Sequence, residues 1–222
     1  MPDKNFLDNP IKYIIFDMDG VLIDSEPVSV KAGKTALSEI GIFVEDTAFV
    51  PYIGTGEKNF IIGPCTLHGK EDCIDAGIKR FYELFGEYVN SEFKVFESVH
   101  RLLDELKKRS LKLAIASSSA AEKLAQSLAA ANISKDLFDV IISGDDVTEK
   151  KPSPEIYMTA ISRLGANPHN CLVVEDAISG VCAAKSALCR CFAVTTSFTK
   201  EQLIDAGADF LGSDIIEVLD IL

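Results

Sequence analysis

The sequence predicts an α/β protein with a doubly wound parallel sheet and a small helical unit inserted after the first strand. From residue 98 onward, short apolar runs alternate with amphipathic helical segments, the pattern of a parallel sheet covered by helices. Residues 27–93 contain helical patterns but no apolar run that resembles a sheet strand. Polar side chains directly follow the apolar runs, at the place where open α/β sheets bind their ligands.

The composition is that of a globular protein with an acidic surface. A chain of 222 residues is long enough for one large domain, or for one domain that carries an insertion. Hydrophobic residues make up 47% of it and charged residues 25%, as in a soluble protein. The net charge of −12 argues against a nucleic acid or an anionic membrane as a partner. A small anionic substrate is still allowed, because a bound cation can reverse the field within one pocket.

The sequence shows no targeting or membrane segment. Its first ten residues, MPDKNFLDNP, have no apolar stretch, and no apolar run elsewhere is long enough to span a bilayer. We therefore expect a cytoplasmic protein. The oligomeric state is left open, with a monomer favoured.

The six cysteines are expected to be thiols of the core. None belongs to a C-x-x-C pair, and three of them lie in apolar, strand-like runs. The three histidines have no ligand-like spacing with the cysteines, so a zinc site is not expected.

The first strand and the loop after it are the centre of the prediction. Residues 12–16 (KYIIF) form an apolar run typical of a strand buried on both faces. The run ends at Asp17-Met18-Asp19-Gly20, where Gly20 allows a sharp turn or a close approach to a ligand. Two carboxylates this close repel each other unless a cation or a shared proton relieves them.

The inserted segment is predicted to consist of two helices joined by a long loop. Residues 27–40 and residues 70–90 have helical spacing, and the second segment is strongly amphipathic. Residues 43–65 contain two prolines and three glycines and are expected to be a loop. The chain is thereby divided into a core, residues 1–26 and 94–222, and a helical insert, residues 27–93.

The second half of the chain supplies the remaining strands and their covering helices. The predicted strands are 112–116, 139–143, 171–175, 190–194 and an edge strand at 209–211. The predicted helices are 98–109, 120–131, 154–164, 178–187, 200–206 and 214–221.

Four of these strands are followed by polar groups. Parallel strands bring their carboxyl ends to the same edge of a sheet, so we expect these groups to lie together. They are Asp17 and Asp19; Ser117, Ser118 and Ser119; Lys150 and Lys151; and Glu175 and Asp176.

Such a set of groups indicates magnesium-assisted phosphoryl transfer. Mg²⁺ prefers oxygen ligands, which Asp17, Asp176 and the backbone carbonyl of Asp19 can supply, with Glu175 beside or behind them. The metal and Lys151 would offset the charge of a phosphate, in a reaction that depends mainly on positioning and electrostatics.

The phosphate itself is expected at the start of the helix predicted over 120–131. Ser117 and the backbone N–H groups near Ser118 and Ser119 would hold its oxygens, where the helix dipole favours an anion.

Each of these residues also has a simpler interpretation. Taken alone, Ser117 is a helix N-cap, Lys151 is a surface lysine, and Glu175-Asp176 caps the helix that follows. The pair Asp17 and Asp19 alone could be a solvated turn. Their joint occurrence at the ends of four strands of one sheet favours the site.

Four motifs follow one another along the chain: DMDGVLIDSE at 17–26, LAIASSS at 113–119, KKPSPEIY at 150–157 and VVEDAISG at 173–180. They resemble the motifs of the haloacid dehalogenase (HAD) superfamily, subfamily I, in its β-phosphoglucomutase-like branch of phosphatases and mutases. The resemblance covers nearly the whole chain. It implies a HAD-type Rossmann-like core with a helical cap.

The resemblance also implies roles for the residues. Asp17 would be the nucleophile, phosphorylated during turnover, and Asp19 the acid–base residue, with a raised pKa. Residues 27–93 would be a cap that closes over the site. The substrate-binding loop of this cap would be Gly54, Thr55, Gly56, Glu57 and Lys58.

The leading hypothesis is a Mg²⁺-dependent phosphatase that hydrolyses a small phosphorylated metabolite, such as a sugar phosphate, through an aspartyl-phosphate. Haloacid dehalogenases lack the second aspartate, so Asp19 favours phosphate esters. The alternative is a β-phosphoglucomutase-type mutase. A regulatory or binding module without activity is a third hypothesis, less favoured because the motif residues are intact.

Four departures from the mutase pattern favour the hydrolase. The mutases that the chain resembles carry an Arg in the cap loop for the distal phosphate; here Glu57 takes that position, beside Lys58. A His on their first cap helix is replaced by Ser29, and a Lys and an Asn after the second motif are replaced by Ala120 and Ala121.

Overall fold

The computed structural model describes residues 9–53, 56–92 and 94–222. Its strands are β1 (Tyr13–Phe16), β2 (Ile23–Asp24), β3 (Lys94–Val95), β4 (Lys112–Ala116), β5 (Val140–Ile142), β6 (Cys171–Glu175), β7 (Arg190–Val194) and β8 (Phe210–Gly212). Six of them form one sheet in the order β5-β4-β1-β6-β7-β8, in which every neighbouring pair is parallel. The predicted fold class, a doubly wound parallel α/β sheet, is confirmed.

Helices cover both faces of the sheet and form the inserted unit. They are α1 (Glu26–Glu39), α2 (Asn59–Leu67), α3 (Ile74–Glu92), α4 (Val99–Lys108), α5 (Ala121–Ala130), α6 (Glu155–Leu164), α7 (Ile178–Ser186) and α8 (Lys200–Asp205). The predicted last helix is a 3₁₀ helix, Ile215–Ile221.

The sheet is buried on both faces because β1 alternates its side chains between two cores. Ile14 and Phe16 pack into the cluster that contains the apolar side chains of α4 and α5. Ile15 packs into the opposite cluster, with the apolar side chains of α6 and α7. This arrangement explains why β1 is a continuous apolar run rather than an alternating one.

Helices α1, α2 and α3 share a third apolar cluster, which includes Val28, Phe60, Phe81 and Phe85. The chain enters and leaves this unit through the short antiparallel pair β2 and β3, in which Ile23 lies opposite Val95. The loop after β1 is therefore connected directly to the strand pair at the base of the helical unit.

The expectation of a loop over residues 43–65 is wrong. This segment contains a 3₁₀ helix, Asp46–Tyr52, and most of α2. The ring of Tyr52 lies where a Cβ on Gly63 would be, so this glycine permits close packing rather than ending a helix. Burial of Phe60 and Ile61 in the third cluster outweighs the weak helix propensity of Gly63 and Pro64.

The cysteines are free thiols, as the sequence predicts, but they do not all belong to the core. Cys65, Cys171, Cys189 and Cys191 are buried, whereas Cys73 and Cys182 are partly exposed. Among the described residues, no helix has the length and apolar character that a membrane crossing requires.

Candidate active site

The site lies at the carboxyl end of β1. Asp17 follows the strand directly and is buried, and Asp19 lies in the turn that Gly20 completes with a φ of +81°. A Cβ on Gly20 would collide with the carboxylate of Asp176, so only glycine lets the two motifs approach this closely.

Three buried carboxylates meet beneath this turn. Oxygen atoms of Asp17, Glu175 and Asp176 all lie within 4.8 Å of one another. The ammonium of Lys151, also buried, lies 2.5 Å from Asp17 Oδ1 and 2.6 Å from Glu175 Oε1. The fold therefore brings together the ends of β1 and β6 and the loop after β5, as the sequence predicts.

The carboxylates carry more negative charge than Lys151 neutralises. Burial raises the pKa of Asp17 to about 7. The carboxylates of Glu175 and Asp19 also raise this pKa, whereas the ammonium of Lys151 lowers it. Burial also raises the pKa of Asp176 well above its ordinary value, with Glu175 and Asp17 adding to it. Buried oxygen ligands that repel one another suit a hard divalent cation such as Mg²⁺.

Glu175 is held from several directions. Its Oε1 accepts hydrogen bonds from Lys151 and from the Tyr157 hydroxyl at 2.5 Å. Its Oε2 accepts from the backbone N–H groups of Asp176 and Ala177 at 3.0 and 3.1 Å. Glu175 thus anchors Lys151 beside Asp17, whereas Asp176 is contacted by the hydroxyls of Ser197 and Thr196.

The serines after β4 line the same edge. Ser117, Ser118 and Ser119 are all buried. The Ser117 hydroxyl accepts a hydrogen bond from the Ser119 N–H at 3.1 Å, and the Ser118 hydroxyl is buried with no partner among the described residues. These groups directly precede α5, which begins at Ala121, at the position where the sequence predicts phosphate binding.

The simpler interpretation of Ser117 as a helix N-cap is wrong. Helix α5 begins at Ala121, and its N-cap position, Ala120, has no side-chain cap. The first N–H groups are instead satisfied from outside the helix, by Glu57 at 3.0 Å on Ala120 and by Asp145 at 2.8 Å on Ala121. Both acceptors are carboxylates, which the positive end of the helix dipole favours.

Sequence reasoning missed Lys123. Its ammonium lies 2.5 Å from Asp19 Oδ1 and 3.1 Å from Ser119 Oγ, and the side chain is buried. It also lies 5.1 Å from the centre of the Phe85 ring, on α3 of the helical unit. The available signal was a lysine on the apolar face of an amphipathic helix, next to Leu124 and one turn after Ser119.

The expected raised pKa of Asp19 is also wrong for this structure. Burial raises the pKa of Asp19, but the Lys123 ammonium and hydrogen bonds from Lys123, Ser25 and Ser119 outweigh it. The pKa of Asp19 is therefore below its ordinary value. The cause is a cation one helical turn into α5, which motif spacing alone does not place.

The helical unit contributes a loop to the site. Gly54 and Thr55 lie outside the described residues. Gly56 has a φ of +102°, and a Cβ there would lie 3.3 Å from the backbone oxygen of Ser118. Glu57 is buried against Ala120, whereas Lys58 is half-exposed and its ammonium lies 3.7 Å from Asp145.

A cavity separates the helical unit from the sheet edge. Asp17, Asp19, Asp176, Ser118 and Ser119 line it from the sheet side. The remaining lining residues are Ser25, Glu26, Ser29, Tyr52, Ile53, Gly56, Glu57, Phe60 and Lys123. The sequence-predicted residues Ser117, Lys151, Glu175 and Lys58 are not among the residues that line it.

The chain belongs to the family of haloacid dehalogenase-like hydrolases, which matches residues 14–194. The resemblance seen in the four motifs is thereby confirmed. Relatives named as phosphatases, among them a phosphoglycolate phosphatase of Yersinia pestis, support the prediction of a phosphoric monoester hydrolase, which is likewise confirmed.

Individual relatives cover most of the chain. It is 33% identical over 88% of its length to a phosphorylated carbohydrates phosphatase of Thermotoga maritima, of which it covers 91%. It is 38% identical over 96% of its length to the chloroplastic protein SUPPRESSOR OF QUENCHING 1 of Arabidopsis thaliana, but spans only 21% of that longer protein. The fold matches CbbY of Rhodobacter sphaeroides, crystallised with xylulose 1,5-bisphosphate, with a TM-score of 0.83, 28% identity and coverage of 93% and 96%.

Proposed function

We propose that this protein is a Mg²⁺-dependent phosphatase that hydrolyses a small phosphorylated metabolite, such as a sugar phosphate, through an aspartyl-phosphate on Asp17. One observation carries the proposal. Asp17 is a buried carboxylate at the end of β1, held 2.5 Å from Lys151 within 4.8 Å of two further carboxylates. The phosphatase of Thermotoga maritima, whose name specifies phosphorylated carbohydrates, supports the substrate class.

The reaction needs two displacements at phosphorus. An oxygen of Asp17 forms a bond to phosphorus while the ester P–O bond breaks, and the leaving alkoxide takes a proton from Asp19. Water then attacks the phosphorus of the aspartyl-phosphate and gives a proton to Asp19. Inorganic phosphate leaves, and the carboxylate of Asp17 is restored.

The low pKa of Asp19 adds a condition to this scheme. Asp19 must be protonated when the alkoxide leaves, so its contact with Lys123 must weaken once a substrate is bound. A phosphate that approaches Ser118 and Ser119 adds negative charge beside Asp19, which favours proton uptake there. We therefore assign the ion pair between Asp19 and Lys123 to the enzyme without bound substrate.

The residues present fit a magnesium ion. Asp17, Asp176 and the backbone carbonyl of Asp19 would hold it, and the raised pKa values of both carboxylates reflect burial and then mutual repulsion, both of which a cation offsets. Both oxygens of Glu175 accept hydrogen bonds from the protein. Glu175 would therefore lie beside these metal ligands and hold Lys151 in place. When bound, the ion supplies positive charge that offsets the charge of the transferring phosphoryl group.

The other groups position the phosphate and exclude water. Lys151, Ser117 and the N–H groups near Ser118 and Ser119 would hold its oxygens, in front of the N-terminus of α5. The helical unit, residues 27–93, would act as the cap, since Glu57 and Phe85 already contact α5. The cap loop residues Gly54 and Thr55 keep their proposed substrate-binding role, whereas Lys58, expected to share it, is directed to Asp145 and does not line the cavity.

A mutase remains the alternative, since a structural neighbour from Thermotoga maritima is described as a β-phosphoglucomutase, at 30% identity and a TM-score of 0.76. The structure favours hydrolysis because the position of the distal-phosphate arginine is occupied by Glu57, which is buried beside α5. Lys58 points to Asp145 and does not line the cavity. The cytoplasmic location and the monomeric state stay predictions.

The proposal is tested with purified protein, Mg²⁺ and two substrates. p-Nitrophenyl phosphate should release phosphate with Mg²⁺ and not with excess EDTA. Glucose 6-phosphate should appear from β-glucose 1-phosphate more slowly than inorganic phosphate does. Absence of any Mg²⁺-dependent phosphate release contradicts the phosphatase, and faster isomerisation than release shows a mutase.

A further inference from the structure

We propose that the substrate carries a single phosphate on an uncharged, hydroxyl-bearing group, and that Glu57 selects it by accepting a hydroxyl hydrogen bond and repelling a second anion. The inference rests on the proposed function and adds a substrate class and a specificity residue to it.

Glu57 is the observation that carries the inference. Its side chain belongs to the cavity wall and is only 6% exposed. Its Oε1 is fixed by the Tyr82 hydroxyl at 2.6 Å and the Ala120 N–H at 3.0 Å. These two bonds tie the cap loop to α3 and α5, so the carboxylate cannot turn away without breaking the contact between them.

The second oxygen of Glu57 has no hydrogen-bond partner. Oε2 is buried and unpaired among the described residues, as is Oε1 of Glu26, another residue of the cavity wall. A buried acceptor without a donor is costly and therefore indicates a group that arrives from outside the chain. Carboxylate oxygens accept hydrogen bonds from hydroxyls and repel phosphates and carboxylates.

The cavity offers no free cation for a second anion. Among the described residues that line it, Lys123 is the single cation, and Asp19 holds it at 2.5 Å. Lys58 lies outside the wall, with its ammonium 3.7 Å from Asp145. A second anion on the substrate would thus meet the carboxylates of Glu57 and Glu26 in this cavity without a compensating charge, whereas the CbbY structure contains a bisphosphate.

The test compares matched substrates that differ by one anionic group. Fructose 6-phosphate is paired with fructose 1,6-bisphosphate, and glycerol 2-phosphate with 2-phosphoglycerate. In each pair, the substrate without the second anionic group should have a kcat/KM at least about tenfold higher. The reason is that a buried carboxylate strongly disfavours a negative group placed against it. Equal or reversed values overturn the inference.

Variants locate the effect at Glu57. Glu57→Gln keeps the size of the side chain and removes its charge, so it should reduce the preference in both pairs, mainly by raising kcat/KM for the substrate that carries the second anionic group. Glu71→Gln, at an exposed position of the same helical unit, removes the same charge and should leave the preference unchanged. An unchanged preference in Glu57→Gln contradicts the assignment.

A binding measurement separates this inference from the proposed function. In the Asp17→Asn protein with Mg²⁺, fructose 6-phosphate should raise the Tm more than fructose 1,6-bisphosphate does at equal concentration. Greater stabilisation by the bisphosphate refutes the inference whether or not the native enzyme turns over. Lack of turnover on every ester, with this binding order intact, refutes only the phosphatase.

Discussion

The ammonium of Lys123 lies 2.5 Å from the carboxylate of Asp19, although the two residues are 104 positions apart. Lys123 is buried on α5, and Asp19 lies in the turn after β1, so this contact links the first motif to the helix that follows the second motif. The same lysine lies over the ring of Phe85 in the helical unit. The ion pair of Asp19, the proposed acid–base residue, therefore includes a lysine that also contacts the helical unit.

Replacing Lys123 by Met should raise the pKa of Asp19, because the ammonium and its hydrogen bond hold that pKa below its ordinary value. The kcat/KM for an alkyl phosphate, whose leaving group needs a proton from Asp19, should therefore extend to higher pH than in the native enzyme. p-Nitrophenyl phosphate needs little protonation of its leaving group, so its pH profile should change less. Lys107→Met, at an exposed position of α4, is the control, and an equal change on both esters would argue for a structural role alone.

Asp17→Asn should abolish turnover in a folded protein. The amide cannot form the aspartyl-phosphate, so kcat should fall by more than about 10³-fold. The Tm in EDTA should stay the same or rise, because the substitution removes one of three buried carboxylates that repel one another. Substantial retained kcat in a purified preparation would exclude Asp17 as the nucleophile.

Removal of the metal should be reversible, and Ca²⁺ should not replace Mg²⁺. EDTA should eliminate phosphate release and Mg²⁺ should restore it. Ca²⁺ accepts more ligands at longer distances and should inhibit, because it can bind both oxygens of Asp17. Asp176→Asn should raise the Mg²⁺ concentration needed for half-maximal activity. Full activity in EDTA would contradict the metal site.

Two variants should distinguish the hydrogen bond that Tyr157 donates to Glu175 from the ion pair between Glu175 and Lys151. Tyr157→Phe removes one hydrogen bond to Glu175 and should lower the free energy of unfolding by about 1.5–3 kcal/mol, the range for a bond to a charged group. Glu175→Gln leaves Lys151 with one fewer buried counter-charge and should also reduce kcat. Urea unfolding and steady-state kinetics check both; equal kcat values in the two variants would contradict the anchoring role.

The loop that carries Lys151 should lose stability in acid through Asp146. Hydrogen bonds from the Ser143 N–H and hydroxyl, together with Arg163, hold the pKa of Asp146 below its ordinary value. A lowered native pKa stabilises the fold above the ordinary value of 3.8 and loses this contribution as the pH falls through the native value. Asp146→Asn should therefore reduce the loss of unfolding free energy that occurs as the pH falls from 6 through the native pKa of Asp146. The exposed Asp205→Asn should leave that loss unchanged.

Local patterns predict most of the core because its strands are buried on both faces. Strands β4, β6 and β7 have the predicted bounds, and β1 differs by one residue. Burial on both faces makes each strand a continuous apolar run, and the polar residue after the run marks its end. Since the strands are parallel, these ends meet, and Asp17, Lys151 and Asp176 could be placed together without coordinates.

The helical unit was harder to predict because its helices depend on packing. Helix α2 contains Gly63 and Pro64, which by propensity indicate a loop. The close packing of Gly63 against the ring of Tyr52 and the burial of Phe60 stabilise the helix instead. No local pattern encodes those contacts.

The sequence by itself determined the fold class and the family, because these follow from apolar periodicity and from the motifs directly after the strands, and it predicts Asp17 as the nucleophile. Only the tertiary structure decided the ion pair between Lys123 and Asp19, and the unpaired oxygen of Glu57 on the cavity wall. Both depend on how closely α5 approaches the turn after β1 and the helical unit. The charge state of a buried group is set by neighbours that are distant along the chain, and their distances are fixed only when the chain has folded.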